Sequence, residues 1–314
     1  MLPPVRDSRN FDGVRGVALS LCFSLLLGLG QAAAATPEGG RLIRVNLFAA
    51  DGIDPRQTGP AKADTPYAPV GQVTTLGPVP YPDGRHVVTK GSGFPVSPCL
   101  FLTNYHGVFG RLGDIPFPPP GVSVSIWSRA GEAVQSTGAP IAWGGLGGAG
   151  ENDWALVRLD DCLGARTDIG WFGLAPEDGD TLSGRLLDTA GFAGDIKGRF
   201  AQQGCRVHAI NPDHKALNDC ANRGGTSGSP LFYVEDGVPT AVALQRGELN
   251  SSDPVLTAYS PDHANTAVLI ARILAREDVA RAIAEDLDAY GAANPLRGGD
   301  GTVRNATTAA LPPS

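Results

Sequence analysis

The chain has 314 residues, and glycine (42) and proline (26) together make up about 22% of it, nearly double the average of about 12%. This content excludes long helical bundles and coiled coils. With 42% hydrophobic residues and a net charge of only −7, the chain is also too apolar to be disordered throughout. Its acidic balance argues against a nucleic-acid-binding protein. A turn-rich, mostly β chain remains, long enough for one large domain or two small ones.

The first 35 residues have the order of a secretory signal peptide. Three arginines precede an uncharged apolar run over residues 17–30, and the small residues Ala33 to Ala35 follow. This order predicts export and cleavage near Ala35. A transmembrane anchor, the alternative, needs about 20 apolar residues, more than this run supplies. We therefore expect a secreted protein, extracellular or periplasmic, with no membrane anchor after cleavage.

Residues 36–69 are polar and rich in Pro and Gly, which predicts either a pro-segment or an N-terminal arm that packs along the domain. Short apolar segments of strand length follow, separated by turn residues. They are Val70–Leu76, His86–Lys90, Cys99–Thr103, Val122–Trp127, Trp154–Leu159, Arg185–Asp188, Arg206–Ile210, Pro230–Val234, Ala241–Leu244 and Thr266–Ile270. Such a chain is typical of barrels or sandwiches. The spacing of apolar residues in Glu277–Tyr290 predicts one amphipathic helix, and residues 291–314 are predicted to be a flexible tail.

Three segments carry candidate catalytic residues in the order His, Asp, Ser. Residues 91–106 run into His106, Asp153 comes just before an apolar segment, and Ser227 lies between glycines. A serine hydroxyl becomes a nucleophile when a histidine takes its proton and a carboxylate orients that histidine. His106, Asp153 and Ser227 can fill these roles. The N–H groups of Gly225 and Ser227 can form the oxyanion hole, because glycine lets the backbone turn inward.

Each of these residues alone also has a structural interpretation. His106 can be a core histidine, Asp153 the cap of a turn, and Ser227 ordinary turn chemistry. The three together, 47 and then 74 residues apart, favour the catalytic interpretation. That chemistry needs no cofactor, and we expect none.

These segments resemble the motifs of the trypsin-like serine peptidases. Residues 102–106 (LTNYH) resemble the histidine motif of that family and residues 153–156 (DWAL) its aspartate motif. Residues 225–230 (GTSGSP) are similar to the nucleophile motif of its bacterial, glutamyl-endopeptidase-like branch. The resemblance implies an all-β fold of two six-stranded antiparallel β-barrels, with the active site in the cleft between them. It also implies hydrolysis of peptide bonds through an acyl-enzyme.

This fold gives each part of the chain a place. After the signal peptide (1–35) and the pro-segment or arm (36–69), residues 70–170 form the first barrel with His106 and Asp153. Residues 171–290 form the second barrel with Ser227 and the C-terminal helix, and the tail takes 291–314.

Four cysteines remain after removal of the signal peptide, and an even number in an exported chain predicts two disulfides with three possible pairings. Their spacing does not match the close CxxC pairs of zinc sites, and we expect no bound metal. On the implied fold, Cys99 and Cys162 lie in the first barrel and Cys205 and Cys220 in the second. We therefore predict the pairs Cys99–Cys162 and Cys205–Cys220, since the other pairings would tie one barrel to the other.

The residues around the expected substrate pocket differ from those of relatives whose substrate preference is known. Gln245 stands where the glutamyl branch has a histidine that binds an acidic side chain, and Ala221, six residues before Ser227, carries no charge. We predict a pocket formed by Ala221, Asn222 and Gln245 that takes a small or neutral side chain. Alternatively, Arg223 and Arg246 supply positive charge near the pocket, although arginines are more often solvated. Thr226 replaces the aspartate with which the animal digestive enzymes bind a newly cut N-terminus, so that activation switch cannot operate.

The sequence thus predicts a secreted, monomeric serine endopeptidase whose partner is a peptide or protein substrate. The rival hypothesis is a secreted, non-catalytic binding protein on the same fold. Covalent labelling of Ser227 by a fluorophosphonate distinguishes the two, because only an enzyme activates that hydroxyl.

Overall fold

The computed structural model describes residues 47–48, 53–58, 66–80, 86–109, 121–145, 152–248, 256–291 and 293–296. The predicted signal peptide and most of the predicted tail lie outside these residues. In chain order the strands are β1 (Leu47–Phe48), β2 (Gln57–Thr58), β3 (Gly71–Pro80), β4 (His86–Pro95), β5 (Leu100–Thr103), β6 (Val122–Trp127), β7 (Ala133–Trp143), β8 (Ala155–Leu159), β9 (Gly173–Leu174), β10 (Leu186–Gly191), β11 (Phe200–Ile210), β12 (Lys215–Asn218), β13 (Pro230–Glu235), β14 (Val238–Glu248), β15 (Leu256–Thr257) and β16 (Asn265–Leu269). The helices are α1 (Tyr105–Phe109), α2 (Gly179–Leu182), α3 (Ile270–Leu274) and α4 (Glu277–Tyr290).

Strands β3 to β8 close into a barrel in the order β3-β4-β5-β8-β7-β6. All neighbouring strands in it are antiparallel. Burial alternates along β6, as expected for a strand with one face on a core. The core of this first barrel includes Val73, Phe101, Val124, Ile126 and Val157.

The second barrel has the order β10-β13-β14-β16-β12-β11, and pairing of β10 with β11 closes the ring. Its core includes Leu187, Val207, Leu231, Val242 and Leu269. Strand β9 joins it parallel to β14, and β2, from the N-terminal arm, joins it antiparallel to β11. The prediction of two six-stranded antiparallel barrels with a C-terminal helix is confirmed.

Two strands of the barrels were not predicted from the sequence. The inward-facing residues of β7 are small, among them Ser136, Gly138 and Ala142, whereas its large Ile141 and Trp143 are exposed. The usual alternation of large apolar residues toward the core is therefore missing. Strand β12 has only four residues, too few to show a period.

A row of aromatic rings in tilted and edge-on contact connects the two barrels. Phe94 of the first barrel lies 4.8 Å from Phe172 in the connecting segment, and Phe172 lies 5.2 Å from Phe232 of the second barrel. All three side chains are fully buried. Tilted and edge-on rings at these distances gain more than their area of contact alone provides, so the barrels share a continuous core.

Arg199 also holds the barrels together. Its side chain is buried and donates hydrogen bonds to the carbonyl oxygens of Tyr67, Ala68 and Trp127. Burial lowers the pKa of Arg199 to about 10. The carbonyl dipoles offset the loss of water around this charge, and they fix the segment before β3 and the end of β6 to the start of β11.

Helix α4 begins at Glu277 and ends at Tyr290, as predicted. It packs through a buried carboxylate as well as through its apolar stripe. Asp286 accepts hydrogen bonds from the Ser97 hydroxyl at 2.6 Å and from the Cys99 N–H at 2.9 Å. The helix is therefore anchored to the segment that leads into β5. None of the helices in the described ranges has the length and apolar character needed to cross a bilayer.

Part of the segment predicted to be a flexible tail packs against the folded unit. Asn294 Nδ2 donates to the carbonyl oxygen of Trp171 at 2.6 Å. Leu296 is buried, and a Cβ at Gly170 would come within 2.5 Å of it. The packed unit thus extends beyond the predicted boundary at residue 291.

Both predicted disulfides are present. Cys99–Cys162 joins the residue before β5 to a residue shortly after β8. Cys205–Cys220 joins β11 to the segment before Ser227. Each bridge lies within one barrel, so neither crosses the cleft.

Candidate active site

Strand β5 brings His106 to the end of the first barrel. All four residues of β5 are buried. Leu100 and Leu102 pack into one core cluster and Phe101 packs into another, because successive side chains point to opposite faces of the sheet. The chain turns at Asn104, and His106 is the second residue of α1. The Asn104 amide donates to the main-chain oxygen of Asp153 at 2.7 Å, which holds the histidine and aspartate segments together.

The Asp153 carboxylate lies directly against His106 and is 1% exposed. Its Oδ2 accepts from His106 Nδ1 at 2.7 Å, and its Oδ1 accepts from the His106 backbone N–H at 3.0 Å. A carboxylate can only accept, so the imidazole carries a proton on Nδ1. That arrangement leaves Nε2 of the neutral ring with its lone pair available as a base.

Asp153 remains ionised in this environment. Burial would raise the pKa of its carboxyl, but the positive charge of protonated His106, the hydrogen bonds from that residue and the charge of Arg246 outweigh burial. The pKa of Asp153 therefore lies below its usual range.

The segment around Ser227 approaches the rest of the protein too closely for side chains at two positions. Gly225 has φ +101°, and a Cβ there would lie 2.5 Å from the carbonyl oxygen of Phe192. Gly228 has φ +91°, and a Cβ there would overlap the carbonyl oxygen of Ser92. Both positions need glycine because of the positive φ and the lack of space.

Ser92 of β4 connects the segment around Ser227 to β5, the strand that leads to His106. Its N–H donates to the carbonyl oxygen of Ser227 at 2.7 Å, and its hydroxyl donates to that of Gly225 at 2.9 Å. Its own carbonyl oxygen accepts from the Thr103 hydroxyl at 2.7 Å, three residues before His106. Ser92 was not predicted from the sequence, although its position between Gly91 and Gly93, in the segment that leads to His106, was a signal.

The Ser227 hydroxyl contacts a residue that was predicted only as possible positive charge near the pocket. In the described part of the chain it has one hydrogen bond, donated to the carbonyl oxygen of Arg246 at 3.3 Å. The Arg246 side chain reaches Asp153, with Nε 3.3 Å from Oδ2. Arg246 therefore links Ser227 of the second barrel to the Asp153–His106 pair of the first.

The two predicted oxyanion donors are the N–H of Ser227 itself and that of Gly225, two residues earlier. Neither the Gly225 N–H nor the Ser227 N–H has an acceptor among the residues that the structure describes, whereas the N–H of Thr226 between them donates to the carbonyl oxygen of Arg223. Two unpaired N–H groups beside a serine hydroxyl are the donors that a developing oxyanion requires.

The predicted pocket residues Ala221, Asn222 and Gln245 are almost completely buried. The Ala221 N–H donates to Gln202 Oε1 at 2.5 Å, and Asn222 Oδ1 accepts from the Thr226 hydroxyl. The Gln245 N–H donates to the carbonyl oxygen of Ser229 at 2.8 Å, so these three buried residues support the segment around Ser227 from the interior. Arg223 pairs with Asp195, with its Nε 3.7 Å from Oδ2.

Comparison with known proteins gives a likeness of fold. No family model matches the chain, and no curated protein matches its sequence. A solved Glu endopeptidase in complex with MPD is 16% identical, with a TM-score of 0.51 over 76% of this chain and 97% of that one. Deg5 is 15% identical (TM-score 0.45; 68% of this chain and 90% of that one), and a serine endoprotease from Yersinia pestis is 17% identical (0.45; 71% and 66%). The fold is that of the trypsin-like serine peptidases.

Proposed function

We propose that the protein is an exported serine endopeptidase that hydrolyses peptide bonds through an acyl-enzyme. The observation that supports this proposal is the buried Asp153–His106 pair at 2.7 Å, which Arg246 connects to Ser227 through its side chain and its backbone oxygen. A buried carboxylate, an imidazole whose Nε2 has no partner among the described residues, and a serine segment with two N–H groups that have no acceptor there are the parts that acyl transfer requires.

In the proposed reaction His106 Nε2 takes the proton of Ser227 Oγ while that oxygen attacks the substrate carbonyl carbon. The resulting oxyanion accepts hydrogen bonds from the N–H groups of Gly225 and Ser227. Protonated His106 then gives its proton to the leaving amine, and the peptide bond breaks. The same imidazole then takes a proton from water, which attacks the acyl-enzyme and releases the acyl group. The imidazole returns that proton to Ser227 Oγ. Asp153 stays ionised and stabilises the imidazolium throughout.

One observation favours the rival function, a non-catalytic binding protein on this fold. The Ser227 hydroxyl donates to the carbonyl oxygen of Arg246 and not to His106. At 3.3 Å this hydrogen bond is longer than the usual 2.7 to 2.8 Å or so for a hydroxyl donor, and rotation about one side-chain bond redirects the oxygen. Catalytic hydrogen bonds also often form only when substrate is bound. We therefore favour the enzyme.

The export of the protein and its place within the fold family are also proposals. The N-terminal residues have the order of a signal peptide, and two disulfides suit an oxidising compartment.

The Gly225–Pro230 motif supports an affiliation with the glutamyl-endopeptidase-like branch. The lack of charge at Ala221, Asn222 and Gln245, which the sequence predicts to form the pocket, favours a small or neutral substrate side chain over an acidic one.

A fluorophosphonate probe tests the function directly. We expect the mature protein to form a covalent adduct at Ser227, and we expect Ser227→Ala to remain unlabelled. Ser229→Ala is the matched control, because Ser229 is a buried serine of the same segment, and it should be labelled normally. A folded wild-type protein that resists the probe would establish the binding protein in place of the enzyme.

A further inference from the structure

Arg246 touches two of the three residues to which we assign catalysis. Its Nε lies 3.3 Å from Asp153 Oδ2, and its backbone oxygen accepts the hydrogen bond of the Ser227 hydroxyl. The proposed mechanism uses neither contact. An arginine this close to the orienting carboxylate changes the charge that His106 senses.

A break in strand pairing explains why this side chain points into the site. Strand β14 pairs with β16 through Gln245 opposite Ala267 and then Gly247 opposite Thr266, so Arg246 is an extra residue between these pairs. Such a bulge redirects a side chain, and bulges are common beside active sites. Gln245 and Gly247 on either side are buried, whereas the Arg246 side chain is 23% exposed.

The contact with Asp153 is ionic. Although Arg246 Nε is within ion-pair distance of Oδ2, its N–H has no hydrogen-bond acceptor in the described part of the chain. The same Oδ2 accepts the hydrogen bond from His106 Nδ1. One carboxylate oxygen thus serves the imidazole and the guanidinium together, and the positive charge offsets part of the negative charge that favours the imidazolium.

The other titratable group at this carboxylate is Tyr105, beside His106. Burial and the charge of Asp153 raise the pKa of its phenol, so Tyr105 is neutral throughout the pH range in which a histidine titrates. Among the described residues, the charges that act on Asp153 are therefore those of His106 and Arg246. Arg246 stays charged at any pH at which a serine peptidase is assayed.

We propose that Arg246 is a positioning residue that sets the pH range in which His106 acts as the base. Its guanidinium opposes protonation of the imidazole through the shared Asp153 carboxylate. The neutral, reactive form of the site then persists to lower pH than Asp153 and His106 alone would allow. This inference rests on the proposed function, since it assigns a role within that catalytic site.

The test is the pH dependence of kcat/KM on a peptide ester. In Arg246→Met the midpoint of the acid limb should move up by about one pH unit, which lowers kcat/KM about tenfold on that limb. At alkaline pH the value should stay near that of the wild type. Arg246→Lys retains the charge and should recover most of the shift. Arg223→Met, which removes an arginine paired with Asp195 instead of Asp153, should leave the midpoint in place.

A purely structural role gives a different result. It would lower kcat/KM by the same factor at every pH, and an unmoved midpoint in Arg246→Met would overturn the inference. If Arg246→Met is recovered unfolded, Arg246→Gln removes the charge and keeps a polar end. The same midpoint shift or its absence then decides the question.

A second readout separates this inference from the proposed function. The ¹⁵N shifts of the His106 imidazole, assigned with His106→Gln, report its protonation without turnover. A titration midpoint that moves up in Arg246→Met supports the inference even in a protein that hydrolyses nothing. An active enzyme in which the midpoint does not move keeps its function and loses this role for Arg246.

Discussion

The two barrels hold their parts of the candidate active site by different interactions. The first barrel holds Asp153 and His106 by two hydrogen bonds of 2.7 and 3.0 Å around a carboxylate that is 1% exposed. The second barrel holds the segment around Ser227 through its backbone, with a 2.8 Å bond from the Gly228 N–H to the Gln245 carbonyl oxygen, and the Ser92 N–H of the first barrel adds a 2.7 Å bond to the Ser227 carbonyl oxygen. Among the residues that the structure describes, the Ser227 hydroxyl itself has only the 3.3 Å bond to the Arg246 carbonyl oxygen.

This difference distinguishes the group that the proposed mechanism requires to stay fixed, the Asp153 carboxylate, from the group that must rotate, the Ser227 hydroxyl. A buried, ionised Asp153 is stable only while His106 and Arg246 surround it, because an unpaired charge in the interior is costly. In the proposed mechanism the Ser227 hydroxyl must instead turn from the Arg246 carbonyl oxygen to His106 and then attack the substrate. A fixed backbone with a weakly held hydroxyl allows that rotation without rebuilding the N–H groups around it.

Removing the reacting groups should have the largest effect. Ser227→Ala and His106→Ala should each lower kcat on a peptide ester by about 10⁶, and the double variant should lose little more, because the parts act as a unit. Circular dichroism should stay close to that of the wild type in both single variants. The unfolding midpoint should be nearly unchanged in Ser227→Ala and lower in His106→Ala, because the buried Asp153 carboxylate then loses its hydrogen bond from the imidazole. Turnover retained in Ser227→Ala would mean that the nucleophile is another residue. The comparison of the two barrels would then no longer describe the active site.

The disulfides should differ in their effect on stability and on activity. The chain-entropy model gives about 4 kcal/mol for Cys99–Cys162, which closes 63 residues, and about 3 kcal/mol for Cys205–Cys220, which closes 15. Paired Cys→Ala variants measured by urea unfolding test this order.

Loss of Cys205–Cys220 should also lower kcat/KM, because the Cys220 carbonyl oxygen accepts a 2.8 Å bond from Asn265 beside the support formed by Ala221 and Asn222. Loss of Cys99–Cys162 should leave kcat/KM of the folded protein nearly unchanged. The opposite pattern would show that the first barrel, and not the second, controls the precision of the site.

Gly225→Ala probes the backbone of the second half. Alanine at φ +101° is strained, and its Cβ would lie 2.5 Å from the carbonyl oxygen of Phe192, so the Gly225 N–H must shift. Loss of one oxyanion donor typically lowers kcat by about 10²- to 10³-fold, and we expect that range with KM little changed. Gly198→Ala is the control, with φ +85° and nothing near its Cβ. If both variants lose kcat equally, backbone strain is the cause and the oxyanion assignment fails.

The sequence predicted those parts of the site that lie in contiguous motifs. His106, Asp153 and Ser227 each stand in a short segment whose residue types suit the chemistry, and α4 has a clear helical period. Arg246 shows the limit of this approach. Its contact with Asp153 depends on a one-residue bulge between β14 and β16, and a bulge inside a strand leaves no composition signal. Arg56 lies in the Pro- and Gly-rich arm, where no periodicity indicates its partner.

Arg56, in the N-terminal arm, supports the second barrel through Asp195. Its side chain is 3% exposed and pairs with Asp54 at 2.7 Å and with Asp195 at 2.8 Å. Asp195 follows Gly194, whose N–H donates to the carbonyl oxygen of Gly224 at 2.7 Å. The N-terminal arm is thus connected to the Ser227 segment through one loop.

Arg56→Met should have the smallest effect, and that effect should depend on pH. The hydrogen bonds from Arg56 are the main cause that lowers the pKa of both Asp54 and Asp195. A lowered carboxyl pKa stabilises the fold fully above the ordinary value of about 4, and this contribution is lost as the pH falls through the lowered values. Because both carboxylates are partly exposed, solvent screening limits the loss in Arg56→Met to about 1 kcal/mol.

Urea unfolding from pH 3 to pH 8 measures this difference. The gap between wild type and Arg56→Met should be constant above about pH 5 and should narrow below about pH 4. Arg166→Met is the matched control, because Arg166 makes the same two-residue pairing with Asp168 but is largely exposed, and it should change stability by less than about 0.5 kcal/mol. A gap that is independent of pH would mean that Arg56 acts by packing over Phe200, 5.9 Å from its guanidinium, and not through its charge.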